Sequence, residues 1–291
     1  MIKVQNRIKG LAAAPWSAIM FYMAVLLCWG QCAQSAPLLE EEGAVVTQWV
    51  SLNNQLLVTA VKLDGGKFHV NVWDLPTTKR IQSINVELEE VKSVRLGPDN
   101  NFLSIAGSIG DTRHTLLSSV KTGQITKDMV ISPNLKKYEK KGMAAMSPDG
   151  QNMAQVMLPS VMVVNNTTHA TTTLDKAFNA DEVRAVAWSQ GSPVVAADVG
   201  AKTYVKFYGA QGEVRHMIEF PFSVEKIALG ANDSVAYIAP GNPKLQINSF
   251  ATGTSESKSF DVASPVTALT YAPDGILYYA LGNQVEKLGA G

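Results

Sequence analysis

Histidines are the first residues to consider for catalysis or metal binding, and the chain has four of them. His69 and His114 take equivalent positions in two repeats, each four residues before the end of a predicted strand. Adjacent repeats could bring the two imidazoles to one face, as an acid–base pair or as two metal ligands. A metal site needs a third ligand, but Tyr204 and Lys244 stand at the equivalent later positions. We therefore favour the alternative, in which both histidines face solvent from ordinary strands.

Other signatures of catalysis are absent from the sequence. It contains no G-x-S-x-G nucleophile turn, no phosphate-binding glycine loop and no H-E-x-x-H zinc motif. Four aspartates precede Gly or Asn, and calcium would need their oxygens to converge: Asp64, Asp99, Asp149 and Asp274. Hairpin turns explain these dipeptides better, because Asp, Asn and Gly suit tight turns. We predict no catalytic residue, no metal site and no cofactor.

The longest connection between repeats, residues 126–141, carries a basic cluster around one tyrosine. Its members are Lys136, Lys137, Tyr138, Lys140 and Lys141. Such a cluster can dock an acidic partner, a lipid headgroup or a glycan. Long loops on a rigid scaffold often carry binding, although a solvated loop is the plainer alternative. We take this lysine cluster as the candidate partner-binding site.

The elements that position these residues follow a pattern that occurs six times. Each copy is a short apolar strand, a turn of small or polar residues, and a second apolar strand. The turns contain the equivalent small residues Ser51, Gly97, Ser147, Ser189, Gly230 and Ala272, at separations of 46, 50, 42, 41 and 42. A period of about 40–45 residues, filled with short strands, predicts a β-propeller.

One repeat shows how four strands make a blade. Residues 183–188, 193–198 and 203–208 form three strands, and residues 214–220 form a fourth with alternating polarity. The inner strands are nearly continuous apolar runs, as expected for strands buried on both faces. The sequence thus predicts an all-β propeller of six four-stranded blades, with seven as the alternative number.

Two motifs give this pattern a family likeness. Residues 69–82 read HVNVWDLPTTKRIQ, with Trp73-Asp74 at the end of a third strand, and residues 147–150 read SPDG. In these features the chain resembles WD-repeat proteins and TolB-type periplasmic propellers. The resemblance implies a closed ring that displays loops for protein partners.

Closure of the ring requires a strand from elsewhere, because the sixth repeat has only three. In WD-repeat rings an N-terminal segment supplies it, and residues 37–44 are the candidate here. Glu40, Glu41 and Glu42 count against this segment as a strand, because glutamate is depleted in strands.

Residues 1–36 have the features of an export segment. Three basic residues precede residues 11–30, which form a 20-residue uncharged stretch and a predicted hydrophobic helix. The segment is either a signal peptide, cut after Ser35, or an uncleaved signal anchor. Both interpretations place residues 37–291, the propeller domain, outside the cytoplasm. The domain is then periplasmic or extracellular, and in the second case residues 11–30 anchor it in the inner membrane.

Composition narrows the function. The chain has 46% hydrophobic and 17% charged residues and no net formal charge, which excludes a disordered chain and argues against nucleic-acid binding. Both cysteines lie in the export segment, so the exported domain has no disulfide. We expect a non-enzymatic interaction or scaffold module for protein partners in the cell envelope, within a larger membrane-associated assembly. Membrane contact would come only through the N-terminal segment, if it is uncleaved.

Two alternatives belong to other classes. A propeller hydrolase or lyase would need polar or charged side chains that converge at the axis. A propeller that binds a small ligand or glycan in its central channel would need exposed aromatic side chains, for which Tyr204 and Tyr208 are the candidates.

Overall fold

The computed structural model describes residues 37–131, 142–250 and 256–289, and these form a six-bladed β-propeller with four antiparallel strands in each blade. The prediction of an all-β ring with six blades is confirmed. The regular structure within these ranges consists of strands, and none of it is a helix suited to crossing a membrane. The predicted export segment and the lysine cluster lie outside the described residues.

The first three blades follow one another along the chain. Blade one comprises β2 (Ala44–Val50), β3 (Leu56–Lys62), β4 (Phe68–Asp74) and β5 (Lys79–Val86). Blade two comprises β6 (Glu90–Leu96), β7 (Phe102–Ile109), β8 (Thr112–Ser119) and β9 (Ile125–Ile131). Blade three comprises β10 (Gly142–Met146), β11 (Asn152–Met157), β12 (Ser160–Asn165) and β13 (Thr171–Asp175).

The last three blades include the one that closes the ring. Blade four comprises β14 (Glu182–Ser189), β15 (Ser192–Val199), β16 (Lys202–Tyr208) and β17 (Val214–Phe220). Blade five comprises β18 (Lys226–Leu229), β19 (Ser234–Ile238), β20 (Leu245–Ser249) and β21 (Glu256–Phe260). Blade six comprises β22 (Val266–Tyr271), β23 (Leu277–Leu281), β24 (Gln284–Leu288) and the N-terminal β1 (Leu39–Glu40).

Burial changes from the axis to the rim, as the apolar runs predicted. At five of the six blade interfaces, the first strands of neighbouring blades pack closely against one another around the axis. The second strand of blade four is buried from Ser192 to Asp198, because blades pack against both of its faces. At the rim, β21 has four exposed residues out of five. Polarity along each blade therefore follows distance from the axis.

The apolar core lies between blades rather than in one central mass. Separate buried clusters join blades one and two, three and four, four and five, five and six, and six and one. Within the described residues, no such cluster joins blades two and three. Blades two and three are also the pair that the longest connection joins in the sequence.

The equivalent small residues end the first strands and begin the turns. The N–H of Ser51 donates to the carbonyl oxygen of Leu56 at 2.9 Å, and that of Ser147 donates to Asn152 at 2.8 Å. Gly150 and Gly275 have φ angles of 71° and 86° in two of these turns. Glycine takes such angles without steric cost, which explains the Asp-Gly pairs.

The N-terminal segment closes the ring, as the WD-repeat resemblance implied. β1 pairs antiparallel with β24, with Leu39 opposite Val285. Flanking backbone bonds extend the pairing, because the N–H groups of Leu38 and Glu41 donate to the carbonyl oxygens of Val285 and Asn283, both at 2.8 Å. The outer strand of blade six thus comes from the N-terminal end of the propeller domain.

Glu41, which weakened the strand prediction, is the anchor of this closure. Its side chain is 5% exposed and enters blade one. One carboxylate oxygen accepts from Trp73 Nε1 at 2.7 Å and from the Thr59 hydroxyl, and the other accepts from Asn71 Nδ2 at 2.6 Å. We call this group of four residues the Glu41 latch. Burial raises the pKa of the Glu41 carboxyl, although the three donors and Arg80 oppose that shift.

Candidate functional site

A cavity of about 270 Å³ lies on the propeller axis. Its wall comes from the first strands of all six blades and from the turns after several of them. Leu52, Pro148 and Pro273 lie in those turns, so the cavity extends to the face of the ring that carries them. We call this cavity the central channel. Its polar and aromatic lining includes Gln48, Trp49, Arg95, Arg184, Trp188 and Tyr271.

The charged side chains that line the channel are all cationic. They are Lys92, Arg95 and Arg184, and within the described ranges no Asp or Glu lines the channel. Lys92 lies 3.3 Å from the Glu90 carboxylate. Arg184 lies 3.4 Å from Asp198 and donates to a backbone carbonyl. Both of these cations therefore have anionic partners outside the channel.

Arg95 is placed differently, between three blades. Its Nη1 donates to the carbonyl oxygen of Ala144 on β10, and its Cζ lies 5.4 Å from the ring centroid of Trp49 on β2. The second contact is a cation–π interaction. Burial lowers the pKa of the Arg95 guanidinium, and no nearby charge contributes to that shift. The group stays protonated because the ordinary pKa of arginine is so high.

Aromatic side chains complete the wall. Trp188 on blade four donates from Nε1 to the carbonyl oxygen of Ala145 on blade three, at 2.9 Å. Burial raises the pKa of the Tyr271 hydroxyl. A Cβ atom at Gly230 would lie 2.8 Å from the Tyr271 ring. The small residue of repeat five is therefore required by this neighbour.

The two candidate histidines lie away from the channel, each beside its own carboxylate. His114 Nδ1 is 2.9 Å from Asp128 on β9, and His69 Nδ1 is 3.4 Å from Glu42. In the part of the chain that the structure describes, no hydrogen bond joins the two imidazoles. Nor do three or more His, Cys, Asp or Glu side chains gather there in a way that could hold a metal ion.

The tyrosines suggested for a ligand channel are not in it. Tyr208 is fully buried and donates its hydroxyl to Asp175 at 3.1 Å. Tyr204, like Tyr208, lies on β16, the third strand of its blade, which is set back from the axis. Both tyrosines lie outside the channel because its wall is formed by first strands and the turns after them. Trp49, Trp188 and Tyr271 line the channel instead.

Sequence reasoning missed Arg95, although a signal was present. It stands two positions before the small residue of repeat two. The equivalent residues in the other repeats are uncharged: Trp49, Ala145, Ala187, Ala228 and Thr270. A single charge among aligned axial positions is a sign of a special role, but the repeats must first be aligned by strand.

Comparisons with known proteins identify the fold. No protein-family model matches the chain, and no curated protein matches its sequence. Among solved structures it is similar to the β-propeller domain of Cps50 (Swd1) from Myceliophteria thermophila, with a TM-score of 0.60, 11% identity, and coverage of 88% of this chain and 99% of that one.

A chain in the structure of the Mitotic Checkpoint Complex is also similar. The TM-score is 0.60 at 14% identity, and the match covers 100% of this chain and 99% of the other. At these identities the likeness concerns the fold. Together with the six closed blades, it shows that this chain folds as a β-propeller, as the WD-repeat resemblance implied.

Proposed function

We propose that this chain is an exported, non-enzymatic propeller that serves as a protein-interaction or scaffold module in the cell envelope, within a larger membrane-associated assembly. The outer surface of blade two is the observation that carries the interaction part of the proposal. The sequence of residues 1–36 carries the export part.

The rim strand of blade two exposes an unusual amount of apolar surface. On β9, Ile125, Met129 and Val130 are 37%, 36% and 58% exposed. Several exposed apolar side chains on one rim strand are a feature that a protein interface would cover. Within the described residues the outer edge of β9 pairs with no other strand, so its backbone groups are open to a partner.

The predicted contact segment follows β9 in the sequence. β9 ends at Ile131, and the lysine cluster follows five residues later in the chain. An apolar strand flanked by lysines suits a protein surface with apolar and acidic patches. We propose Lys136, Lys137, Tyr138, Lys140 and Lys141 as further contacts of the same partner.

The fold comparison supports an interaction role. One similar chain belongs to a multiprotein structure, the Mitotic Checkpoint Complex. A closed ring is rigid and displays many loops and rim strands, which suits a scaffold. The all-cationic charge of the central channel also supports a non-enzymatic role, because general acid–base catalysis commonly uses a carboxylate or histidine at the reacting centre.

Capture of partners from solubilised membranes of the source cells tests the interaction. The bait is the full chain, with and without Val130→Asp, which places a charge on the exposed face of β9. We expect the wild-type chain to retain a defined set of partners and the variant to lose at least 80% of it. Ile81→Asp is the matched control, because Ile81 is 52% exposed on the rim strand of blade one.

Two results would contradict the proposal. A wild-type bait that elutes as a partner-free monomer would exclude a stable interaction. Equal losses of partners with both variants would show that the added aspartate itself causes the loss, whichever blade carries it.

N-terminal sequencing of the protein from its source tests export. A mature chain that begins at Ala36 indicates cleavage after Ser35. An uncleaved anchor would leave the N-terminus intact and the protein in the membrane fraction. Protease added from the outer side would then digest the propeller. A full-length chain in the cytoplasmic fraction would contradict the export proposal.

A further inference from the structure

Arg95 is a cation that the described structure leaves without a counter-ion. It is partly buried at the channel wall, and among the described residues its one polar contact is to the Ala144 carbonyl oxygen. A guanidinium has five N–H donors in a fixed fork. Most of that donor capacity is therefore unused within the protein.

Retaining such a group has a cost. Removing a charge from water without a partner is unfavourable, and an apolar residue at this position would avoid it. The other five repeats do have uncharged residues there. Lys92 and Arg184 cannot relieve the imbalance, because they are cations as well. The channel therefore has an excess of positive charge that an incoming anion would neutralise.

We propose that the central channel binds the carboxylate of an Asp or Glu side chain from a partner protein, with Arg95 as its main donor. Arginine and carboxylate match each other in a two-bond fork. The inference rests on the proposed interaction function and adds the chemistry of a second contact, on the axis rather than on the rim.

The charge and the size of the channel suit one acidic side chain. Gln48 at the wall is 5% exposed and is held by its own contact, because its Nε2 donates to the carbonyl oxygen of Tyr278 at 2.8 Å. A volume of about 270 Å³ is small for a cofactor site but has room for one side chain.

Binding of two fluorescein-labelled peptide pools to the full chain tests the proposal. Both pools are acetylated and amidated nonapeptides of random sequence, identical except that the central residue is Glu in one and Gln in the other. We expect the wild-type protein to bind the Glu pool at least tenfold more tightly. This comparison uses one protein and does not depend on the folding of any variant.

Variants then place the preference at Arg95. Arg95→Gln should reduce the Glu preference to less than twofold, and Arg95→Lys should leave an intermediate preference, since it keeps the charge but loses the fork. Lys79→Gln is the matched control, because it removes an exposed cation on the rim strand β5, away from the channel. It should preserve the preference within twofold. Thermal unfolding of each variant checks that the propeller is intact.

Equal binding of both pools to the wild-type chain would overturn the proposal. So would an Arg95→Gln variant that keeps the Glu preference. Inorganic phosphate that binds the channel, with no preference between the pools, would assign the site to a free anion instead.

The two proposals fail in different ways. If membrane partners are captured equally by the wild-type chain and by Arg95→Gln, and the Glu preference is absent, the interaction function stands and the channel proposal falls. If no membrane partner is captured but the Glu preference depends on Arg95, the channel chemistry stands and the cell-envelope assembly falls.

Discussion

At the interface between blades six and one, buried apolar side chains from both blades pack together, and the Glu41 carboxylate is held by three donors. At the interface between blades two and three, no buried apolar cluster occurs among the described residues, and the Arg95 guanidinium makes one hydrogen bond to the neighbouring blade. Each interface contains an ionisable side chain that contacts the neighbouring blade. The interfaces differ in how much of that group's hydrogen-bonding capacity is used.

This difference separates two uses of a buried charge. A carboxylate with three donors is a structural tie, because its removal would leave those donors buried without a partner. A guanidinium with unused donors stabilises the fold little and keeps its capacity for a ligand. We therefore expect substitutions at the two interfaces to affect stability very differently.

Glu41→Ala should produce the largest loss of stability. It removes the acceptor of Thr59, Asn71 and Trp73, and the buried donors left behind should lower the free energy of unfolding by about 3 kcal/mol. Urea denaturation measures the loss. Glu40→Ala is the control, because Glu40 is exposed and should change stability by less than about 0.5 kcal/mol. A loss below about 1 kcal/mol for Glu41→Ala would show that the latch does not hold the closure.

Trp73→Phe should have a smaller effect at the same interface. It removes one N–H donor to Glu41 and some indole volume, for an expected loss of about 1.5 kcal/mol. Measurement in the wild-type and Glu41→Ala backgrounds gives the coupling between the two residues. We expect a coupling of about 1 kcal/mol. Additive losses would mean that the tryptophan acts through packing alone.

The Glu41→Gln variant tests the charge of the latch through pH. The Glu41 pKa is raised on folding, so the folded chain binds this proton more tightly than the unfolded chain. The contribution of Glu41 to stability should therefore increase as the pH falls from 7 towards the folded pKa, and level off below the unfolded pKa. Since Gln does not titrate, the advantage of the wild-type chain over Glu41→Gln should widen from pH 7 to pH 5. Urea midpoints in a pH series measure it, and a narrowing gap would reverse the assigned direction.

Arg95→Met should have the smallest effect on stability. Methionine has a similar length, keeps a contact with Trp49 and needs no counter-ion, so the free energy of unfolding should change by less than about 0.5 kcal/mol. Thermal and urea unfolding both measure this. A loss above about 2 kcal/mol would mean that the guanidinium is itself a structural tie between blades two and three, and the contrast between the interfaces would disappear.

The strand pattern was predictable to within a residue or two. Blade four was expected at 183–188, 193–198, 203–208 and 214–220, and its strands include these ranges. Such agreement has a local cause. The polarity of each strand residue indicates whether it faces a neighbouring blade or solvent. The turn residues indicate where each strand ends.

The candidate site was much less predictable. The basic loop, the paired histidines and the tyrosines of β16 were chosen for residue type and repeat position. The structure places the histidines and tyrosines away from the axis, and its described residues do not extend to the basic loop. The role assigned to Arg95 depends on its contacts with Trp49 and Ala144, which are about 46 and 49 residues away along the chain.

The sequence by itself determined the six-fold repeat and the four-stranded blades, because each strand's burial and turn chemistry follow from its own residues; the WD-repeat resemblance indicated the segment that closes the ring. Only the tertiary structure decided that Glu41, a poor strand residue, is the anchor of closure, and that Arg95 is a cation without a counter-ion. Both roles depend on donors and acceptors from distant parts of the chain. Their geometry exists only once the blades are packed around a common axis.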